Sequence, residues 1–426
     1  MAPASLIAYR LGARLLAPLS GPLLAYRRAR GKEDAARLGE RRGRPSRKRP
    51  AGSLVWLHGA SVGEALSLLP LIERLSQAGQ ATLITTGTVT SARLLAERLP
   101  AGALHQYAPL DAPQYMRRFI AHWRPDAALI AESELWPNMI LEASAADTPL
   151  ILVNARLSER SYLRWKARAP NFIGALLARV DLALAQSKAD AERFSLLGAP
   201  RVEFAGNLKF DAPAPPADSQ ELAMLSGRIA GRRVWIAAST HEGEEIAIAE
   251  THRLLAARFP ELLTLIAPRH PSRGAEIAAA LHRVGLSCAR RSQGAQPGGE
   301  AIYICDTMGE LGLFYRLAGV VFLGKSLTKE AGGGQNPIEP AKLANAILHG
   351  PYVGNFADVY ALLDAAGGAE AAHDARGLAE ALSALFGDGG RLRAMARAAA
   401  QAVESQTGAL ERTIRAIAPY LVEGKA

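Results

Sequence analysis

The chain has 426 residues, 49% of them hydrophobic, and a formal net charge of +10. A single hydrophobic core rarely serves so long a chain, so two domains are the default expectation. The only two cysteines, Cys288 and Cys305, exclude a disulfide framework or a cysteine-rich metal site and favour a reducing compartment. We expect both thiols to be free, buried and structural.

The positive charge is confined to the N-terminal segment. Residues 1–50 contain 13 Lys and Arg against 3 acidic residues, which leaves 37 of each in residues 51–426. A neutral body argues against a protein whose main function is to bind nucleic acid. A basic tail that binds RNA stays open as an alternative, although no aromatic residues are interleaved with the basic ones for base stacking.

The same segment begins with an apolar stretch, residues 2–26, which Arg10, Arg14 and a Gly-Pro pair interrupt. A helix that spans a bilayer needs about 20 predominantly apolar residues, and no signal-peptide layout is visible. The stretch therefore favours an amphipathic helix in the membrane interface, although a short or tilted span stays open. The basic residues between 27 and 49 predict attachment to anionic lipids on the cytoplasmic side.

From residue 51 onward, strand and helix patterns alternate. Short apolar runs bounded by turn residues predict strands, and helical patterns separate them. The first series of predicted strands covers residues 54–58, 81–86, 127–131, 149–153, 181–185 and 201–205. The second series begins at residue 233 and continues at 262–267, 301–304, 319–323 and 346–348, and a helical tail is predicted from 375 to 420.

This alternation is typical of α/β domains with mostly parallel sheets. A stretch rich in Pro, Ala and Asp, residues 211–231, is the predicted linker between the two series. We therefore expect two Rossmann-like domains facing a cleft, an N-terminal one over 51–210 and a C-terminal one with closing helices over 232–426. Residues 1–50 form the membrane-associating segment, and residues 286–300 form a surface loop.

The stretch LVWLHGASVGE, residues 54–64, places a glutamate where a strand ends and a helix begins. Ligands of open α/β sheets bind at the carboxyl ends of strands, so Glu64 is placed for chemistry. Ser61 and Glu64 also have the spacing of a capping box, in which side chains satisfy free helix amides. Both interpretations stay open, because helix N-termini also bind anions. The same spacing recurs in Ser239 with Glu242, Thr307 with Glu310 and Asn336 with Glu339.

Further charged residues follow predicted strands. Arg269 and His270 suit a phosphate group, because a guanidinium forks onto two oxygens. Glu132 and Glu134 also follow a predicted strand, and we expect one of the two to point into the cleft. Lys209 is placed either to reach an anion or to be solvated.

A glycine-rich loop precedes the Asn336 junction. Gly332, Gly333 and Gly334 would let the backbone approach a ligand closely. Neither GxxxxGK[ST] nor a strand-linked GxGxxG occurs, so the two common phosphate-binding fingerprints are absent from the sequence. His58 is predicted to be a packed strand-end residue, no spacing fits a metal site, and we predict neither metal nor cofactor.

Ten motifs, taken together, resemble one family, the 3-deoxy-D-manno-octulosonic acid (Kdo) transferases of lipopolysaccharide synthesis. In chain order they are HGASVGE, TTGTVTSA, ESELWPN, VNARLS, QSKADAERF, GNLKF, STHEGEE, PRHP, DTMGEL and GGGQNPIEPA. The resemblance implies the GT-B fold and transfer of Kdo from CMP-Kdo to a lipid A precursor (lipid IVA), with inversion. It also implies the cytoplasmic side of the inner membrane, with anionic lipids and no nucleic acid as partners.

The resemblance further implies roles for individual residues. Glu64 matches the family's proposed general base, and Glu134 and Lys209 match positions thought to stabilise the transition state. Gln335 departs from the family, which often has histidine there. Another nucleotide-sugar-dependent GT-B glycosyltransferase, such as a UDP-dependent one, stays open as the alternative function. The implied CMP site consists of Arg269, His270, Met308, Gly309, Glu310, Asn336, Pro337, Ile338 and Glu339.

Overall fold

The computed structural model describes residues 3–329 and 332–421. The chain divides into two compact units. One runs from the N-terminus to Ala212 and takes in the segment from Thr407 onward, and the other covers Pro213–Gln406. The first boundary therefore falls within the stretch that the sequence predicts as a linker.

The first unit contains a seven-stranded sheet in which neighbouring strands are parallel. The strands are β1 (Leu54–His58), β2 (Ala81–Thr86), β3 (Leu104–Tyr107), β4 (Ala127–Ala131), β5 (Leu150–Ala155), β6 (Leu182–Ala185) and β7 (Val202–Phe204). The helices up to Ala212 are α1 (Ala4–Leu16), α2 (Ser20–Ala29), α3 (Val62–Gln77), α4 (Val89–Arg98), α5 (Pro113–Trp123), α6 (Pro137–Ser144), α7 (Glu159–Arg168), α8 (Pro170–Leu177) and α9 (Lys188–Leu196).

The strand order of this sheet is β3-β2-β1-β4-β5-β6-β7. The chain builds outward from β1 to β3 and then returns to β4 on the other side of β1, so β1 and β4 flank the switch point. Ligands of open α/β sheets bind at this point. The six predicted strands of this series are confirmed, whereas β3 was missed because His105 and Gln106 interrupt its apolar pattern.

Strand β1 illustrates why the predicted strands are continuous apolar runs. Its five residues are all buried. Leu54 and Trp56 belong to one hydrophobic core, and Val55 and Leu57 belong to another, because successive side chains of a strand point to opposite faces. A parallel sheet covered by helices on both faces therefore needs apolar residues at every position.

The basic residues after α2 are partly built into the first unit. Arg41 is buried and donates from Nε to a Glu33 carboxylate oxygen at 2.8 Å. Arg37 donates to both oxygens of the buried Glu40 at 2.9 Å. The interpretation of all these bases as a lipid-binding cluster is therefore too broad. Between residues 27 and 49 the cations exposed to solvent are Arg28, Arg30, Lys32, Arg44, Arg47 and Lys48.

Helices α1 and α2 bury few of their residues. Leu6 and Leu24 pack inward, and Arg10 forms an ion pair with Glu142 at 2.6 Å. The large apolar side chains that these helices and the turn between them expose are Ile7, Tyr9, Leu11, Leu15, Leu16, Leu19, Leu23 and Tyr26. Within residues 3–329 and 332–421, no helix combines the length and the apolar character needed to cross a bilayer.

The second unit also contains a seven-stranded parallel sheet. Its strands are β8 (Arg233–Thr240), β9 (Leu262–Pro268), β10 (Cys288–Arg290), β11 (Ile302–Ile304), β12 (Val320–Leu323), β13 (Ala346–His349) and β14 (Ala369–Ala371). Its helices are α10 (Ser219–Arg228), α11 (Glu244–Ala256), α12 (Gly274–Arg283), α13 (Leu311–Leu317), α14 (Ile338–Lys342), α15 (Ala357–Ala365), α16 (Ala375–Gly387) and α17 (Gly389–Glu404).

The strand order here is β10-β11-β9-β8-β12-β13-β14, so β8 and β12 flank the switch point. The five predicted strands of the second series are confirmed. Two three-residue edge strands, β10 and β14, were missed, and β10 lies inside the predicted surface loop. Both thiols are free, but only Cys305 is buried; the expectation of a buried Cys288 is wrong, because β10 leaves it partly exposed at the sheet edge.

The last helix, α18 (Ala409–Ile417), returns to the first unit. The sequence analysis placed it with the C-terminal domain. In the structure Ile417 is buried in the same core as Val55 and Leu57. The Asp211 carboxylate accepts from the Gly408 and Leu410 amides at 2.6 and 2.9 Å, which joins the start of this helix to the end of the first unit.

One buried carboxylate organises the switch point of the second sheet. Glu244, at the start of α11, is fully buried. Its Oε2 accepts from the His241 and Lys325 amides at 2.9 and 2.8 Å, and its Oε1 accepts from the Ser326 and Leu327 amides at 3.0 and 3.1 Å. The loop after β12 is thereby joined to the loop after β8.

We predict that Glu244→Gln destabilises the second unit by about 3 kcal/mol, because the glutamine NH2 group leaves two of the four buried amides without an acceptor. Amide hydrogen exchange at residues 325–327 should accelerate, and urea unfolding should shift to lower denaturant. The matched control is Glu242→Gln, two residues earlier and exposed. Unchanged exchange at 325–327 in Glu244→Gln would contradict this role of the carboxylate.

Candidate functional site

Glu64 lies in the first turn of α3, directly after the loop that follows β1. Its carboxylate accepts from the Ala60 amide at 2.8 Å and from the Ser61 hydroxyl at 2.7 Å. The Glu64 amide donates back to Ser61 Oγ at 3.3 Å. The predicted capping interaction is therefore present, with Ala60 rather than Ser61 supplying the amide. It holds a half-buried carboxylate at the carboxyl end of β1.

The chain turns sharply after β4, which places two further carboxylates nearby. Glu132 has a left-handed backbone with φ of 52°, and the Glu134 amide donates to the Ala131 carbonyl at 3.3 Å. Burial and the negative charges of Glu64 and Glu132 raise the pKa of Glu134, against a hydrogen bond from Trp136. The prediction that only one of the two glutamates points inward is wrong, because both carboxylates lie close enough to Glu64 to interact with its charge.

Lys209 reaches the same place from the segment after β7. Its Nζ donates to Glu132 Oε1 at 2.7 Å, and the two side chains are 17% and 16% exposed. The Asn207 and Asn154 side chains accept from the Lys209 and Leu208 amides at 3.0 and 2.9 Å and so position this short helical turn. The sequence left a solvated lysine open; the structure instead makes Lys209 an ion-pair partner of Glu132.

We call Glu64, Glu132 and Glu134 the acidic cluster. Burial and the negative charge of Glu132 raise the pKa of Glu64, although hydrogen bonds within its own turn and the charge of Lys209 act in the opposite direction. A carboxylate with a raised pKa is a stronger base than an ordinary glutamate. The cluster is therefore suited to take a proton from a hydroxyl group.

His58 lies at the end of β1 beside this cluster. Its ring is 2% exposed, and Nδ1 shares a hydrogen bond of 2.9 Å with the Thr85 hydroxyl. Its Nε2 is 3.9 Å from Glu134 Oε2 and has no hydrogen-bond partner among the residues the structure describes. Burial lowers the pKa of His58 to about 4, so the ring is neutral at pH 7 and adds no charge to the cluster.

The carboxyl end of the second sheet carries positive charge instead. Arg269 and His270 follow β9 and are exposed, and the His270 ring centre is 6.2 Å from that of His241, which follows β8. Burial and the charges of Lys325, His270 and Arg269 lower the pKa of His241. We call His241, Arg269, His270 and Lys325 the basic edge. His241 was not among the predicted site residues, and only its position directly after a strand could have indicated it.

Two features of the basic edge bear on ligand binding. Arg269 is exposed, so its guanidinium is accessible to an anion. Gln335, the departure from the family pattern, has its Nε2 3.1 Å from His241 Nε2. The residue before the Asn-Pro pair is therefore linked to the basic edge.

Glu310, predicted to bind CMP, is engaged inside its own unit. Arg291 donates to its two carboxylate oxygens at 3.2 and 2.6 Å, and the Thr307 hydroxyl donates to it as well. Burial alone would raise the pKa of Glu310, but these hydrogen bonds and the charge of Arg291 lower it. The exposed part of this turn is Met308, 64% exposed, with Gly309 in a left-handed conformation.

The glycine-rich loop packs against its own unit. A Cβ atom on Gly332 would lie 2.8 Å from Tyr352 Cβ, and one on Gly333 would lie 2.6 Å from Asn355 Nδ2. The Gly333 amide also donates to the Tyr352 carbonyl at 3.0 Å. The sequence predicted that these glycines let the backbone approach a ligand closely. Close packing within the protein also explains Gly332 and Gly333.

Asn336 and Glu339 are joined to each other. Asn336 Nδ2 donates to Glu339 Oε1 at 3.2 Å, and Asn336 Oδ1 accepts from the Ile338 amide at 3.1 Å. Helix α14 begins at Ile338, so Pro337 lies directly before the helix. The structure thus gives these residues a common turn next to Gln335.

Two solved structures with a similar fold contain UDP or UDP-GlcNAc. The UDP-GlcNAc 2-epimerase from Neisseria meningitidis, bound to UDP-GlcNAc, superposes with a TM-score of 0.59 at 12% identity over 86% of this chain and 100% of that chain. The S. aureus MnaA structure with UDP gives 0.60 at 16% identity, over 86% and 96%. At such identities the likeness defines the fold alone, which is of the α/β GT-B class.

Sequence comparison identifies the family. A model described as 3-deoxy-D-manno-octulosonic-acid transferase (kdotransferase) matches residues 36–212. The 3-deoxy-D-manno-octulosonic acid transferase of Bordetella pertussis is 36% identical over 430 residues, which cover 97% of this chain and 99% of that protein. That of Rickettsia bellii is 34% identical over 81% of this chain and 82% of its own length. The chain belongs to the Kdo transferase family.

Proposed function

We propose that the protein transfers Kdo from CMP-Kdo to a lipid A precursor, lipid IVA, with inversion at the anomeric carbon. The observation that carries this proposal is the acidic cluster at the switch point between β1 and β4, with Lys209 as its counter-ion. Membership of the Kdo transferase family supports the same reaction. No metal or cofactor is part of the proposal.

In this mechanism Glu64 is the general base. It takes the proton of the acceptor hydroxyl while the hydroxyl oxygen forms a bond to the anomeric carbon of Kdo. The bond between that carbon and the phosphate oxygen breaks, and CMP leaves with the electron pair. A single displacement of this kind inverts the anomeric centre. The raised pKa of Glu64 supports this role, because it strengthens the base.

Glu134 and Lys209 are assigned to stabilise the charges that the reaction and the acidic cluster create. Positive charge develops on the sugar ring as CMP departs, and Glu134 is assigned to stabilise it. Lys209 is assigned to balance the negative charge of the cluster, which its ion pair with Glu132 supports. The three carboxylates cannot all be ionised at low energy without such a counter-ion.

CMP is assigned to the second unit. Arg269 and His270 would bind the phosphate, since the Arg269 guanidinium is exposed and always charged. The remainder of the proposed CMP site consists of Met308, Gly309, Glu310, Asn336, Pro337, Ile338 and Glu339. Of these, Glu310 would act through the shape of its turn, because its carboxylate is already bound by Arg291.

The proposed location is the cytoplasmic side of the inner membrane. The exposed apolar side chains of α1 and α2 support it, because groups of this size rarely face water on a soluble monomer. Ile7, Leu11 and Leu15 recur every four residues and so share one side of α1. Exposed cations follow in the next residues, from Arg28 to Lys48, and each near an anionic surface contributes about 1 kcal/mol.

The direct test is incubation of the purified full chain with lipid A precursor and CMP-Kdo generated in situ, followed by mass spectrometry of the lipid. Mass increments of one Kdo unit are the expected result, and their number counts the sugars transferred. Transfer from a UDP-sugar, without binding of CMP, would replace this proposal with a UDP-dependent glycosyltransferase.

We predict that Glu64→Gln lowers kcat by a factor of about 10² to 10⁴, the usual contribution of a general base, while the affinity for CMP is unchanged. Calorimetry with CMP and the mass-spectrometric assay measure the two quantities. Glu73→Gln, on an exposed side of the same helix, is the matched control and should keep full activity. Near-normal turnover in Glu64→Gln would remove the assigned role.

A pH profile tests the coupling within the cluster. The base form of Glu64 appears as the pH rises through its pKa, and the charge of Glu132 raises that pKa. Glu132→Gln removes this charge and so lowers the pKa of Glu64. The acid limb of kcat/KM should therefore move to lower pH, whereas the exposed control Glu97→Gln should leave it in place. A shift to higher pH would contradict the assignment of Glu64 as the titrating base.

The membrane proposal predicts that Leu11→Ser combined with Leu15→Ser weakens binding to liposomes containing phosphatidylglycerol about tenfold or more, because both side chains are more than half exposed. Liposome sedimentation measures the effect. Leu196→Ser changes an equally exposed leucine of α9 and is the control. Equal binding by both proteins would remove α1 from the membrane contact.

A further inference from the structure

A groove in the first unit has no role in the function proposed above. Its volume is about 550 Å³, within the range of about 300–1,000 Å³ common to ligand pockets. Most of its lining atoms are apolar. It is bounded by α1, by the turn after β4, and by α7 and α8. The side chains that matter are Tyr9, Glu134, Trp136, Arg164, Trp165 and Phe172.

One wall of the groove is a set of aromatic rings in fixed contact. The Trp165 and Phe172 rings are stacked with their planes 4° apart and their centres separated by 6.1 Å. Tyr9 meets Phe172 edge-on, also at 6.1 Å. The Tyr9 hydroxyl donates to Asp111 Oδ2 at 3.0 Å, which holds α1 against this wall. The wall is therefore formed before any ligand arrives.

The groove reaches the acidic cluster. Glu134 lines it, and Trp136 Nε1 donates to Glu134 Oε2 at 2.6 Å. The Trp136 ring is 45% exposed and borders the same space. A ligand whose polar end lies at Glu134 would therefore have its apolar part beside these rings.

The charge around the groove favours an anionic lipid over a neutral apolar molecule. Helix α7 exposes four cations, Arg160, Arg164, Lys166 and Arg168, and Arg164 lines the groove itself. On the other side, Tyr9 belongs to α1, which continues into the exposed apolar residues Ile7 and Leu11. An apolar groove between cations and an exposed apolar helix fits an acyl chain whose headgroup carries phosphate.

We infer that this groove binds one acyl chain of the acceptor lipid and so sets the acceptor preference of the enzyme. The inference rests on the proposed transfer to a lipid A precursor. A sugar ring also stacks on aromatic side chains, but most of the groove surface is apolar, and the wall of Tyr9, Trp165 and Phe172 offers the hydrocarbon surface that a chain requires.

The kinetic test compares acylated lipid A precursor with its deacylated backbone. Trp165→Ala removes half of the stacked pair and should reduce the preference for the acylated acceptor about tenfold, mainly through KM. Ala169→Phe, which fills the groove from the junction of α7 and α8, should have the same effect. Leu163→Ser, at an exposed position of α7 outside the groove, is the matched control and should keep the preference.

A second test needs no transferase activity. Three of the five tryptophans, Trp56, Trp123 and Trp235, are buried, whereas Trp136 and Trp165 line the groove. A dibrominated fatty acid, kept below its micelle concentration, should therefore quench the fluorescence of the full chain in a saturable manner. The quenching should be lost in Ala169→Phe, which keeps all five tryptophans, and kept in Leu163→Ser.

The outcomes separate this inference from the proposed function. Kdo transfer without acyl-dependent changes in either groove variant overturns the inference and leaves the function intact. Saturable quenching without any Kdo transfer removes the function and leaves an acyl site. A fall in rate that is equal for acylated and deacylated acceptors would assign the groove to the sugar. Loss of liposome binding with an unchanged acceptor preference would assign it to a membrane phospholipid, which also overturns the inference.

Discussion

The candidate site of the first unit depends on three carboxylates that lie close together and on one lysine that offsets part of their negative charge. Glu64 comes from the turn after β1, whereas Glu132 and Glu134 come from the turn after β4, and the mutual repulsion of these carboxylates would separate them if Lys209 did not bind Glu132 at 2.7 Å. The repulsion is retained in part, because it contributes with burial to the raised pKa values of Glu64 and Glu134. The arrangement places carboxylates with raised pKa values beside the end of β1, and the rest of the sheet holds these turns in place.

Backbone strain follows the same distribution in both units. Of the seven described non-glycine residues with left-handed backbones, Arg124, Asp147 and Ala344 come shortly after helices. The other four are Glu132 and Asn154 in the first unit and Ser239 and Lys325 in the second. All four lie at or near the carboxyl ends of central strands. Each such residue costs about 1 kcal/mol or more, and strain of this kind is concentrated at functional sites. At Glu132 the strained backbone turns the chain so that the carboxylate lies near Glu64.

The sequence predicted most of the fold, because apolar runs such as residues 54–58 are decisive for buried parallel strands. It predicted the turns poorly. Of the four proposed caps, Ser61 and Asn336 each accept from an amide in the first turn of a helix and bond the glutamate three residues on. Ser239 instead lies inside β8, and α11 begins later, at Glu244. The capping spacing indicates only which residues are close along the chain. A residue with a left-handed backbone changes the direction of the chain and therefore changes which side chains come into contact. Glu132 has such a backbone, and its ion pair with Lys209 joins residues that are far apart in the sequence, so no local sequence pattern could have predicted it.

The two units show how one topology supports different chemistry. In each, the first strand of the sheet lies at the centre, and the switch point falls between it and the strand that returns on its other side. The loops at that point carry carboxylates in the first unit and the basic edge in the second. Since the strand order is so similar, the difference comes from strand-end residues and not from the fold. A carboxylate cluster suits deprotonation of a hydroxyl, and an exposed arginine suits a phosphate. The division of labour proposed between acceptor activation and donor binding therefore follows from residues that occupy corresponding ends of the two sheets.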